Sequence, residues 1–177
     1  MTTTQDAPKV VPDFGDEGEE RKIVFICSKG NLDMAYPALI MANGALTEGV
    51  SVDIFFTFWG LDMINKATVD KLQFTMMGNT AMHMPGASWH IPQGLAGLPG
   101  MTGFATHMLK KQISDLEVPE VREFIGMLHD MGAKFWGCRM SVDMAGLEKD
   151  DLLDEVEDVI NVNDFIELSA GAQVIFI

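Results

Sequence analysis

Ile23-Val24-Phe25-Ile26-Cys27 and Ser51-Val52-Asp53-Ile54-Phe55-Phe56-Thr57 are the two stretches on which the fold turns. The first is a continuous apolar, β-prone run, the pattern of a parallel strand covered on both faces. Ser28-Lys29-Gly30-Asn31 breaks it. From there Leu32, Ala35, Leu39, Ala42 and Leu46 recur at helical spacing, and Gly49 supplies a stop. The second stretch then reads as another strand. Strand, helix and strand within the first sixty residues make a β-α-β unit, which is parallel and right-handed in nearly all folds.

Outward from this unit the same alternation continues. Residues 59–75 carry Leu61, Ile64 and Ala67 and predict a helix followed by weaker structure. Met101, Phe104, Ala105, Met108 and Leu109 predict another, and Pro119 to Met131 a third, closed by Gly132. Ala133 to Cys138 is a strand, Leu147 to Leu153 an acidic amphipathic helix, Asp158 to Ile160 a short strand and Asn163 to Leu168 a short helix. Gln173-Val174-Ile175-Phe176-Ile177 is a last strand. The predicted class is α/β: a three-layer α/β/α, flavodoxin-like arrangement on a mainly parallel sheet of about five strands. Two regions stand apart. Residues 1–21 read as a disordered acidic tail, because Asp13 to Glu20 holds five acidic residues and hardly a hydrophobe. Residues 76–100 set Met76, Met77, Met82 and Met84 among Gly, Pro and His without a period, and read as a long Met-rich flap. Residues 22–177 are expected to form one domain.

Composition narrows the function. A formal net charge of −14 disfavours nucleic acid and anionic membrane surfaces, both of which attract Lys and Arg. No apolar run approaches the roughly 18–20 residues of a spanning helix, and no secretory signal is visible. Two cysteines in 177 residues do not make a disulfide framework, so a cytoplasmic setting is expected.

The chemistry concentrates on Cys138, in Gly137-Cys138-Arg139-Met140-Ser141. It ends a predicted strand just ahead of a helix start, where ligands gather in α/β folds. Adjacent Arg139 and helix N–H groups would favour its thiolate, making it a nucleophile or sulfur carrier rather than an inert buried thiol. Cys27 also ends a strand, though its apolar neighbours suit a core role. Were the two strands adjacent, exchange or a transient disulfide could link the thiols. Ser28, Lys29 and Gly30 are expected to line the pocket mouth with Arg139, Met140 and Ser141; they lack the glycine spacing of a phosphate loop. His83, His90, His107 and His129 have no spacing that ties them to Cys138, which weakens a Cys-His hydrolase. Met82-His83-Met84 could suit Cu(I), but fourteen methionines spread over the whole chain favour apolar packing. The acidic set Glu148, Asp150, Asp151, Asp154, Glu155, Glu157 and Asp158 is most simply a solvated face. Its secondary reading is a docking surface for a basic carrier protein.

Several runs together resemble the DsrE/DsrF-like (DsrEFH) family, in its subgroup with a Met-rich insertion. They are Ile23 to Asp33, Ala42-Asn43-Gly44-Ala45, Phe55-Phe56-Thr57-Phe58-Trp59-Gly60-Leu61, Met82 to Gly86, and Gly137 to Gly146. The resemblance spans about residues 22–177 in order and implies a small three-layer protein that forms homo-oligomers. The implied activity is handling of sulfane sulfur, held as a persulfide on Cys138 and passed to a partner thiol. A sulfane-sulfur donor and a thiol-bearing acceptor, such as a TusA-like carrier, are the partners it implies, with no cofactor. Cys27 maps to no family role, and no peroxidatic motif accompanies the peroxiredoxin-like label some members carry. The reading is therefore a sulfur carrier or sulfurtransferase. A non-catalytic oligomeric binding module and a copper-binding protein are the alternatives.

Overall fold

The computed structural model describes residues 21–75 and 98–177. The expected tail, apart from Arg21, and most of the expected flap, with Met82, His83, Met84 and His90, lie outside the described residues. Five strands form one parallel sheet: β1 Lys22–Cys27, β2 Ser51–Phe56, β3 Lys134–Cys138, β4 Val156–Ile160 and β5 Gln173–Phe176. The helices are α1 Leu32–Thr47, α2 Met101–Asp115, α3 Val121–Asp130, α4 Arg139–Ala145 and α5 Val162–Leu168. The predicted parallel α/β architecture is thus present, with every anticipated strand in it.

The strand order β4-β3-β2-β1-β5 decides which face each helix covers. From β1 to β4 the chain steps across the sheet in one direction, and right-handed crossovers then keep the connecting helices on one side. That side holds the main core. Phe25, Cys27, Ile54, Phe56 and Phe135 pack there against Leu39 of α1, Ile125 and Leu128 of α3 and Val142 of α4. After β4 the chain steps back across the whole sheet to reach β5, so α5 lies on the opposite face. There the Phe165 ring stacks on Phe55 at 4.6 Å between centroids. Alternation along β2 places Asp53 on that second face too. Asp53 is buried and paired with Lys22 Nζ at 2.9 Å, and it accepts from Trp136 Nε1 at 2.6 Å. Lys22 also donates to the Leu168 carbonyl at the end of α5, at 2.7 Å.

Two predicted helices are not α-helices. Residues 59–75 fold as 3-10 turns, Phe58–Met63 and Val69–Lys71, although Leu61, Met63 and Ile64 are buried as their apolar character demands. Tertiary approach overrides the local period here: a Cβ on Gly60 would lie 2.0 Å from the Cys27 carbonyl oxygen, so this segment is pressed onto the end of β1. Leu147 to Leu153 yields only the 3-10 turn Lys149–Asp151, closed by a reciprocal Glu148–Asp151 capping box. Its neighbours are spent on long-range pairs. Leu153 N–H donates to the Ile64 carbonyl, and Lys66 N–H to that of Asp151. A helix through Leu153 would forfeit both.

Candidate functional site around Cys138

β3 ends on Cys138, which is also the residue capping α4 at its start, with the extended backbone (φ −75°, ψ 120°) usual for that position. Gly137 faces the main core, against Leu152, Val159 and Val142. By alternation Cys138 turns to the other side of the sheet. It is half-buried and carries a free thiol.

Burial pushes the Cys138 thiol up, but hydrogen-bond donors outweigh it and hold the group below its ordinary value. The donors are the Ser141 hydroxyl and amide, the Thr57 hydroxyl and the Met140 amide. The amides stand at the second and third positions of α4, where a capping side chain meets unsatisfied N–H groups. The Cys138 side chain makes no cap bond of ordinary geometry to them; their dipoles favour the thiolate. Ser141 is fully buried. Its Oγ accepts the Phe58 N–H at 2.9 Å and lies 3.1 Å from Thr57 Oγ1. Phe58 sits at φ +46°, a left-handed conformation rare for a non-glycine residue.

The residues nominated from sequence are distributed unevenly about this centre. Ser141 and the Met140 backbone stand at the sulfur. The Arg139 guanidinium does not; its Nη2 donates to the Val159 carbonyl on β4 at 3.0 Å, so hydroxyl and amide dipoles replace the expected cation. Ser28 donates from both its amide and hydroxyl to the Ile177 carbonyl, at 2.9 and 3.1 Å, and so fastens β5. Gly30 packs under Trp59 and Asp62, while Lys29 is exposed. Cys27 lies in the main core at 1% exposure, where burial pushes its thiol up to about 12. β2 runs between β1 and β3. Two strand spacings, about 10 Å, separate the thiols, beyond the roughly 7 Å limit for a disulfide. The conditional exchange between Cys27 and Cys138 therefore has no geometry. His107 and His129 are exposed on α2 and α3, and no group of three or more metal-ligating side chains occurs among the described residues. Thr57 was not singled out by sequence reasoning. Its signal was available: it follows β2 directly, at the same sheet edge as Cys138, inside the Phe55 to Leu61 run.

Residues 19–177 match the DsrE/DsrF/DrsH-like family. The chain belongs to that family. It is 37% identical over 141 residues to the sulfur carrier protein DsrE2 of Allochromatium vinosum, covering 78% of this chain and 87% of that one. To YrkE of Bacillus subtilis it is 27% identical over 147 residues, covering 78% and 86%. Among solved structures, MTH1491 of Methanobacterium thermoautotrophicum superposes with a TM-score of 0.55 at 12% identity, over 89% of this chain and 99% of that one. That likeness speaks for the shared fold.

Proposed function

We propose that the protein is a sulfur carrier that takes up sulfane sulfur as a persulfide on Cys138 and passes it to a partner thiol. The observation that carries this reading is the half-buried Cys138 thiol, surrounded by two hydroxyls and two amides that favour its thiolate. A thiolate is the form that attacks a sulfane donor. Attack forms the Sγ–S bond, and the electron pair of the broken donor bond leaves with the donor. The likeness to a sulfur carrier at 37% identity supports the same chemistry. Donor and acceptor are small sulfane compounds and thiol proteins, a TusA-like carrier among them. Exposed Phe58, Trp59 and Met140, on the two segments that bracket Cys138, give an acceptor apolar surface to dock on.

No helix among the described residues is long and apolar enough to cross a membrane, and the cytoplasm suits a free thiolate. The face opposite the main core supports self-association. The seven-residue α5 covers it incompletely, leaving Val162, Ile166, Val174 and Phe176 exposed there or along the β5 edge.

The decisive experiment is exposure to polysulfide followed by mass spectrometry. A gain of about 32 Da on the peptide containing Cys138 is expected, lost in Cys138→Ser and retained in Cys27→Ser. Sulfur on Cys27 with Cys138 unmodified would overturn the assignment.

A further inference from the structure

We propose that Thr57 and Ser141 are positioning residues that make Cys138 a releasing donor, one that gives up its outer sulfur to an ordinary thiol rather than storing it. The proposal rests on the carrier reading and adds its direction. Ser141 Oγ is occupied as an acceptor by the Phe58 N–H at 2.9 Å, in a pocket where it is fully buried. Its single hydrogen is left for Thr57 Oγ1, 3.1 Å away, or for the sulfur of Cys138. Cys138 caps the helix whose third residue is Ser141, and it follows Gly137 as Thr57 follows its strand partner Phe56. Thr57 has one hydrogen and the same two choices. When Cys138 is a neutral thiol or a persulfide, its divalent Sγ is a poor acceptor, and one of the two hydroxyls donates to the other. When the sulfur becomes a thiolate, both can turn to it, and donation from Phe58 strengthens the Ser141 hydroxyl as a donor.

The transfer step places this device. An acceptor thiolate RS⁻ attacks the outer sulfur of Cys138–S–SH. The new RS–SH bond forms, the Sγ–S bond breaks and its electron pair stays on Sγ, giving Cys138–S⁻ and RS–SH. Charge and protons balance, and no external oxidant or reductant enters. The donors gain strength only on the product side, at the leaving sulfur, so they pull the equilibrium toward release. A better leaving thiolate also departs faster. The adjacent Arg139 guanidinium is turned to the Val159 carbonyl at 3.0 Å, so it does not hold a persulfide anion in place. The supplying reaction must then offer sulfur at least as activated, such as a polysulfide or a persulfide on an equally acidic thiol.

The test measures the equilibrium constant for sulfur exchange between loaded Cys138 and a small-molecule thiol, together with the pH midpoint of Cys138 alkylation. Thr57→Val keeps the side-chain shape and leaves the Ser141–Phe58 bond intact. It should still load, yet retain sulfur with an equilibrium constant roughly tenfold less favourable to release, from one charge-assisted hydrogen bond. Its alkylation midpoint should rise, and Thr57→Ser should restore both values. Ser141→Ala, provided it folds, should act in the same direction. Loading with an unmoved exchange constant and midpoint in Thr57→Val overturns the proposal and leaves the carrier reading standing. A wild-type protein that takes up no sulfur overturns both.

Discussion

Replacing Asp53 should cost more stability than its single carboxylate suggests. The residue is 4% exposed and joins three strands: it lies on β2, pairs with Lys22 of β1 at 2.9 Å and accepts from Trp136 of β3 at 2.6 Å. Lys22 extends the link to Leu168 of α5. In Asp53→Ala the indole N–H loses its acceptor, at about 1–3 kcal/mol. The Lys22 ammonium loses its counter-charge, but its side chain is 28% exposed and keeps the Leu168 carbonyl, so this part is discounted to about 1 kcal/mol. The sum is about 2–4 kcal/mol, below the 3–5 kcal/mol of a fully buried broken pair. Asp53→Asn keeps an oxygen for Trp136 and should cost only about 1–2 kcal/mol. Urea unfolding followed by tryptophan fluorescence measures both. Equal losses for Asn and Ala would refute the role given to the indole bond. A loss under about 0.5 kcal/mol in Asp53→Ala would refute the clamp altogether.

Cys27 makes a pH-dependent prediction with a definite sign. Its folded-state value is raised to about 12, so the stability tied to its neutral form is complete below the unfolded value of about 8.5 and drains away as pH rises toward 12. The stability difference between wild type and Cys27→Ala should therefore shrink by about 1.5 kcal/mol between pH 8.5 and 10; a difference that does not change with pH contradicts the burial argument. Cys138 has the opposite sign: its lowered value adds stability above the unfolded value, lost as pH falls through the folded one. Self-association through the α5–β5 face predicts that Ile166→Glu with Phe176→Glu lowers the mass seen by light scattering while leaving the far-ultraviolet circular dichroism intact. An unchanged assembly would exclude that face as the interface.

Local pattern carried the sequence reading a long way. Apolar runs and helical spacing are properties of neighbouring residues, so they fixed the strands, α1, α2, α3 and the parallel class, and brought both cysteines to one sheet edge. Residues 59–75 and 147–153 escaped that reading because Gly60 is pressed against β1 and Ile64 bonds to Leu153, contacts that no local period encodes. Only the tertiary structure set β2 between the two thiols and turned Arg139 to Val159. It alone brought Thr57 to Ser141 across 84 residues of chain. Strand order and hydrogen-bond partners follow from how whole elements pack, so the thiol and its helix-start neighbours Met140 and Ser141 were legible in the sequence, whereas the Thr57 donor became visible once β2 and β3 lay side by side.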